Sequence, residues 1–170
     1  MGLDFYEHQD TRILIPTLYG AEAKKEVTGS TSVRRTWDAE SFFVDAAARV
    51  HTEALAAVRA VHDWALKTAE HVDYGTGKTG SFTPKFRAIR PKGPISVYAD
   101  GVLQLKLNLG WFNDTDAGRS FQAVLVREFA AAGIIASGPH TSDAYLSAEQ
   151  WCGKAEALTR ALARAVPVAA

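Results

Sequence analysis

The dipeptide Asp100-Gly101 lies between two runs of residues that favour extended backbone, and it constrains the fold more than any other feature. Both central positions of a tight hairpin turn need positive φ, which Asp-Gly adopts readily. The runs cover residues 96–99 and 102–109. Leucines alternate with polar residues in the second run, so its two faces differ in polarity. The sequence therefore predicts an antiparallel hairpin with one apolar and one polar face.

A long helix and a further strand are predicted before this hairpin. Apolar residues recur at helical spacing after Asp38, which can cap a helix N-terminus, and they continue to about residues 69–71. Residues 82–89 alternate in polarity as a strand does. Pro84 lacks a backbone N–H for pairing with a neighbouring strand, so it favours an edge position.

Two helices are predicted after the hairpin. Residues 113–116 supply potential caps for the first, and Gly133 is placed to end it. Residues 147–150, Ser-Ala-Glu-Gln, form a capping box for the second. The element order is therefore helix, three strands, helix, helix. We expect an α+β fold with a three-stranded antiparallel sheet, helices packed on one face and the other face open.

The length of 170 residues suits about one domain. The start of the chain differs in pattern from the part that follows. Residues 12–16 are typical of a short strand ended by proline, and residues 24–35 are typical of a polar connector. We expect an N-terminal strand and connector over residues 1–36 and an α+β module over residues 37–168.

Composition limits the compartment and the partners. The single cysteine, Cys152, cannot form an intrachain disulfide, which suits a reducing compartment. No apolar run approaches the length of about 18 residues that a membrane span needs, and the first residues do not resemble a secretory signal. We therefore expect a cytoplasmic protein without a membrane partner. The formal net charge is zero, so any nucleic-acid binding has to come from a local basic surface.

Motifs of catalytic and metal chemistry occur without the context that such sites require. Residues 77–79, Gly-Lys-Thr, follow a helix and not a strand, and Val72 stands where a phosphate-binding loop needs a glycine. Residues 22–24, Glu-Ala-Lys, match a short element of metal-dependent nucleases but lack a surrounding core. The five histidines and Cys152 show no zinc-site spacing. We predict no catalytic residue, no metal and no cofactor, and we favour a binding module over an enzyme.

The segment from residue 78 to residue 106 is basic: it holds six basic residues and one acidic residue, Asp100. Alternation places many of these residues on the open sheet face, on either side of Ile95 and Val97. Cations neutralise phosphates, while amide and aromatic side chains can contact bases. The predicted nucleic-acid-binding residues are Lys78, Lys85, Arg87, Arg90, Lys92, Gln104, Lys106, Asn108 and Phe112. Among them Gln104, Asn108 and Phe112 are the candidate base contacts, duplex DNA is the expected partner, and the glycine loop at 75–80 is expected to approach its backbone.

Four segments carry a family resemblance: residues 37–43 (WDAESFF), Trp64, residues 74–84 (YGTGKTGSFTP) and residues 98–101 (YADG). They resemble the C-terminal accessory module of predicted bacterial restriction-type nucleases. Residues 13–20 resemble the connector that follows the nuclease core in those proteins.

This resemblance extends over about residues 12–166, and we expect the nuclease core of those proteins to be absent from this chain. It implies a role in handling DNA in a restriction-modification setting, with sensing of specific or methylated DNA as a refinement. No catalytic residue is implied by it.

Two other functions stay open. The alanine-rich helices are compatible with a protein-interaction module that docks a nuclease, another partner or a second copy of the chain, which would show as a large exposed apolar patch. A small hydrolase with a site assembled from distant residues would show as a deep pocket lined by perturbed carboxylates or histidines.

Overall fold

The computed structural model describes residues 2–8, 11–17, 36–112 and 115–166. The chain divides into two compact units, residues 1–34 and residues 35–170. In the first unit, strands β1 (Gly2–His8) and β2 (Thr11–Thr17) pair in antiparallel fashion. The strand predicted at residues 12–16 is therefore confirmed within β2, whereas the connector predicted at residues 24–35 lies outside the described residues.

The described residues of the second unit form five α-helices and a five-stranded antiparallel sheet. In sheet order its strands are β3 (His71–Tyr74), β4 (Ser81–Lys85), β5 (Ile95–Tyr98), β6 (Leu103–Leu105) and β7 (Ala144–Leu146). The helices are α1 (Ala39–Arg49), α2 (Thr52–Thr68), α3 (Asp116–Ala131), α4 (Ala148–Trp151) and α5 (Ala155–Ala165). The α+β class and the antiparallel sheet are confirmed. The prediction of three strands is wrong, because β3 and β7 extend the sheet at its two edges.

The two edge strands have little sequence signal of their own. β3 has four residues and β7 has three, so neither is long enough for a clear alternating pattern. Pairing with a neighbour defines them: Tyr74 lies opposite Phe82 of β4, and Leu146 lies opposite Leu103 of β6. Such strands depend on tertiary context more than on intrinsic propensity.

Pro84 lies inside the sheet, which corrects the edge position predicted for β4. Successive residues of a strand direct their backbone N–H and C=O groups toward opposite neighbouring strands. Gly75 N donates to Ser81 O on the β3 side, and Ala99 N donates to Gly80 O on the β5 side. The missing N–H of Pro84 therefore faces β5, and the β4–β5 ladder stops at Phe82, before the proline.

The long helix predicted from Asp38 onward is two helices. The predicted cap is confirmed, since Asp38 Oδ1 accepts a hydrogen bond of 2.8 Å from Ser41 N. The chain becomes extended at Val50, and His51 then begins α2 by accepting a bond of 3.1 Å from Ala54 N at its Nδ1 atom. Helical spacing continues across this break, so periodicity alone did not detect it.

The core lies between the helices and one face of the sheet. Phe82, Val97 and Leu103 are cross-strand neighbours on this face and are fully buried. The helices contribute, among others, Phe42, Val58, Leu125, Phe129, Trp151, Leu158 and Leu162. Leu107 is buried as the alternation predicts, but Leu109 is 48% exposed because β6 ends at Leu105. Among the described helices none is long and apolar enough to cross a membrane.

The hairpin between β5 and β6 is confirmed, but its turn is not the predicted one: the bond from Gly101 N to Tyr98 O makes Ala99 and Asp100 the central residues, and Gly101 follows them. Gly101 has φ of +83°, and its N–H donates a bond of 2.9 Å to Tyr98 O. Its backbone also packs closely: a Cβ atom at this position would lie 2.9 Å from Ala148 Cβ and 3.0 Å from Val50 Cγ1. Glycine is therefore required here for both backbone conformation and space.

We expect Gly101→Ala to lower the free energy of unfolding by about 1–3 kcal/mol, because left-handed strain and two close contacts add together. Gly138→Ala is the matched control, since Gly138 has φ of +137° with no atom within 4 Å of an added Cβ. Urea denaturation of both variants separates strain from crowding. Equal losses in the two variants would contradict the packing part of this account.

Candidate functional site

The sheet face opposite the core is polar. Register and alternation place one set of side chains there, and we call this set the polar face. It consists of His71, Asp73, Thr83, Lys85, Ser96, Tyr98, Gln104, Lys106 and Tyr145, with Trp111 and Asp143 at its rim. The strands hold these groups in adjacent rows, as the bond of 2.7 Å between Thr83 Oγ1 and Ser96 Oγ illustrates.

Lys106 is the unusual residue of the polar face, because it is only 9% exposed. Its ammonium group forms no hydrogen bond or ion pair with any residue that the structure describes, and it lies 5.4 Å from the ring centroid of Trp111. Burial, together with repulsion from Lys85, lowers the pKa of Lys106 to about 8, while Asp143 and Asp73 oppose the shift. The site thus holds a partly desolvated ammonium group whose donors have no protein acceptor among the described residues.

Gln104 is only 6% exposed and anchors a hydrogen-bond network. Its Nε2 atom donates to Asp143 Oδ2 at 2.7 Å and to Tyr145 OH at 3.0 Å, and its Oε1 accepts from Tyr98 OH at 3.2 Å. Gln104 was predicted to contact bases, but both ends of its amide are already bonded inside the protein. These internal bonds, which depend on the unpredicted strand β7, compete with a base contact, and the role of Gln104 stays a prediction.

Phe112 and Trp111 lie opposite to what continued strand alternation after β6 would give, which is an exposed Phe112 and a buried Trp111. Phe112, a predicted base contact, is 6% exposed and packs beside Phe121 with the ring centroids 6.1 Å apart, while Trp111 is 46% exposed. A short 3-10 helix, Leu109–Trp111, interrupts the strand pattern, and Asn108 caps it by accepting 2.8 Å from Gly110 N. Sequence reasoning therefore missed Trp111, the aromatic residue that reaches the surface.

Two other predicted positions on the open face are also wrong. Ile95 and Val97 are fully buried, because pairing with Leu105 and Leu103 directs them into the core. The polar residue of β5 that lies between them, Ser96, occupies the polar face instead.

The positive charge of the polar face is smaller than the sequence count suggests. Lys85 Nζ lies 3.3 Å from Asp73 Oδ2, and Arg87 Nε lies 3.0 Å from Glu70 Oε2. Both acids belong to β3 or the residue before it, outside the basic segment at 78–106. Lys106 is therefore the main cation of the face without an acidic partner at ion-pair distance among the described residues.

The remaining predicted cations lie on two loops of the second unit. Arg90 and Lys92 are exposed on the loop between β4 and β5, and this loop passes next to Lys106: an added Cβ on Gly93 would lie 3.6 Å from its Nζ. Lys78 lies in the β3–β4 turn, at the opposite end of the strands according to the register. The structure thus brings Lys85, Gln104 and Lys106 together, with Arg87, Asn108 and the loop that carries Lys92 next to them, and it separates Lys78 and Phe112 from them. Arg90 lines a cavity with Thr115 and Phe121 at the start of α3.

The surroundings of Cys152 and His62 indicate that these side chains stabilise the fold. Burial raises the pKa of the Cys152 thiol to about 11, which keeps it neutral. His62 bonds to Tyr74 OH at 2.7 Å, and burial lowers its pKa. Over the part of the chain that the structure describes, no group of three or more His, Cys, Asp or Glu residues could hold a metal ion.

Comparison of the chain with family models, with curated proteins and with solved structures finds no match.

Proposed function

We propose that the second unit binds DNA through the polar face, with Lys106 as its central phosphate contact. The observation that carries this proposal is the partly desolvated ammonium group of Lys106, which has no hydrogen-bond or ion-pair partner among the described residues. Burying a cation is unfavourable unless an anion or a hydrogen-bond acceptor compensates. A phosphate oxygen would supply both the charge and the acceptors.

The surroundings of Lys106 favour a nucleic acid over a simple anion. Trp111 and Tyr145 are 46% and 60% exposed and lie at one side of Lys106, while the loop at the other side approaches Lys106 at Gly93 and carries the exposed Lys92 and Arg90. Proteins that bind nucleic acids combine cations for the backbone with aromatic rings for the bases. Sensing of methylated cytosine remains the refinement that the family resemblance implies.

The exposed apolar residues also favour the sheet face over a helix surface as the place of binding. Among the described residues the large exposed apolar side chains are Val44, Leu66, Leu109, Trp111 and Tyr145. Val44 and Leu66 lie apart on α1 and α2, Leu109 and Trp111 lie on the short 3-10 helix after β6, and Tyr145 belongs to the polar face. A protein-docking patch on the helices is therefore the weaker alternative.

The test is titration of the full chain with labelled duplex DNA, with and without cytosine methylation, from about 50 to 200 mM salt. We expect affinity to fall steeply with salt, and we expect Arg90→Ala/Lys92→Ala to weaken binding and to reduce the salt slope by about two. The control is Arg59→Ala/Lys67→Ala, which removes the same charge from α2. Equal losses in the two double variants would contradict a site on the polar face, and equal affinity for methylated and unmethylated DNA would remove the refinement.

A further inference from the structure

We infer that the polar face prefers single-stranded nucleic acid, with one unpaired base stacked on Trp111 and the adjoining phosphate at Lys106. This inference rests on the proposed function and specifies the form of its ligand. It depends on three features of the rim: the exposed indole, the carboxylate that fixes it and the cation beside it.

Trp111 is both exposed and fixed. Nearly half of its surface is accessible, yet its Nε1–H lies 2.9 Å from each carboxylate oxygen of Asp143. An exposed indole is a large apolar surface that could otherwise fold back onto the protein. Holding the ring in one orientation lowers the entropy lost when a planar base stacks on it.

Asp143 is itself held by the sheet, which makes it a positioning residue. Its Oδ1 accepts a bond of 3.1 Å from Asn108 N, and its Oδ2 accepts the bond of 2.7 Å from Gln104 Nε2. Because Gln104 belongs to β6, the orientation of Trp111 is coupled to a strand of the core sheet. Both carboxylate oxygens are occupied in this way, so Asp143 acts through Trp111 and does not contact the ligand.

Lys106 places positive charge within reach of the same nucleotide. Its Nζ lies over one face of the Trp111 ring, 5.4 Å from the centroid, so the base would stack on the opposite face of the indole. A base and its phosphate are joined through a single sugar, so one nucleotide can contact an aromatic ring and a neighbouring cation together. Tyr145, whose OH is fixed by Gln104 at 3.0 Å, adds a second exposed ring on the adjacent strand.

Duplex DNA does not fit these features as well as a single strand does. In a duplex the base faces are covered by stacked neighbours, and a protein reaches only base edges and phosphates. The indole of Trp111 would then have no base face to contact. In a single strand every base has an accessible face, which makes stacking both available and tolerant of sequence.

The experiment compares binding of a labelled single strand of about 12 nucleotides, within the usual site size, with binding of the same sequence as a duplex. We expect the single strand to bind more tightly. Trp111→Ala should lower single-strand affinity about 5- to 100-fold and leave duplex affinity almost unchanged. Trp111→Phe keeps a stacking ring without the bond to Asp143, so it should lose less affinity than Trp111→Ala.

A double-mutant cycle tests the positioning role of Asp143. Asp143→Ala should weaken single-strand binding in the wild-type background and have no further effect in the Trp111→Ala background. Additive losses would show that Asp143 does not act through Trp111 and would overturn its assignment. Equal affinity for single strand and duplex, with Trp111→Ala harmless, would overturn the inference and leave DNA binding intact. Absence of binding to either form at low salt would overturn the proposed function as well.

Discussion

Trp151→Ala is expected to lower the free energy of unfolding by about 3–5 kcal/mol, the largest destabilisation of the predictions made here. Trp151 is completely buried, and its Nε1–H donates 2.8 Å to Gly101 O in the β5–β6 turn. The substitution leaves a cavity and also leaves a buried carbonyl without its donor. Since domains of this size are stable by about 5–15 kcal/mol, the variant should unfold at much lower urea concentration.

Two variants separate the causes of this loss. Trp151→Phe keeps most of the volume but removes the N–H, so a loss of about 1–3 kcal/mol is expected from the unsatisfied Gly101 carbonyl. Trp111→Ala makes the same chemical change at a residue that is 46% exposed, and it should cost about 1 kcal/mol or less. Urea denaturation followed by circular dichroism measures all three. Equal losses for Trp151→Ala and Trp111→Ala would contradict the packing described for α4.

Lys106→Met is expected to stabilise the protein at neutral pH, in contrast to most core substitutions. Methionine fills the space of the lysine stem and removes the charge whose burial lowers the pKa of Lys106 to about 8. A gain of about 1–3 kcal/mol is expected, since one pKa unit corresponds to about 1.4 kcal/mol. Stability gained by removing a group indicates that the group is retained for function.

The pH dependence of this gain follows from the direction of the pKa shift. Below about pH 8, Lys106 is charged in both the folded and the unfolded protein, so the penalty for burying the charge is present in full. Between about pH 8 and 10.5 only the unfolded chain keeps the proton, so wild-type stability rises through this range. The difference between Lys106→Met and wild type should therefore shrink from pH 7 to pH 10. A constant difference would contradict burial of the charged form.

The parts of the fold that depend on neighbouring residues could be predicted from the sequence. The hairpin that contains Asp100 and Gly101, the caps at Asp38 and Ser147 and the buried Leu103 are all confirmed. Each of them depends on chemistry within a few residues of the chain. The break at His51 is also local, but histidine is a less common N-cap than serine or aspartate, so its signal was overlooked.

The organisation of the polar face depends on residues that are distant in sequence. Gln104 and Asp143 are 39 residues apart, and Trp111 and Asp143 are 32 apart. The three-residue strand β7 positions Asp143, and no pattern in the sequence predicts that strand. Alternation correctly placed Lys106 on the polar face. Only the structure shows that Lys85 and Arg87 have acidic partners while Lys106 has none among the described residues.

Binding of a labelled single strand to Lys106→Met tests the central claim most directly, because the substitution should preserve the fold while removing the phosphate contact. Lys67→Met, on the exposed surface of α2, is the control with the same change in charge and shape. We predict that Lys106→Met binds at least about tenfold more weakly than wild type at about 50 mM salt, and that Lys67→Met binds as wild type does. Equal affinity for Lys106→Met and Lys67→Met would contradict the claim that the polar face is the nucleic-acid site.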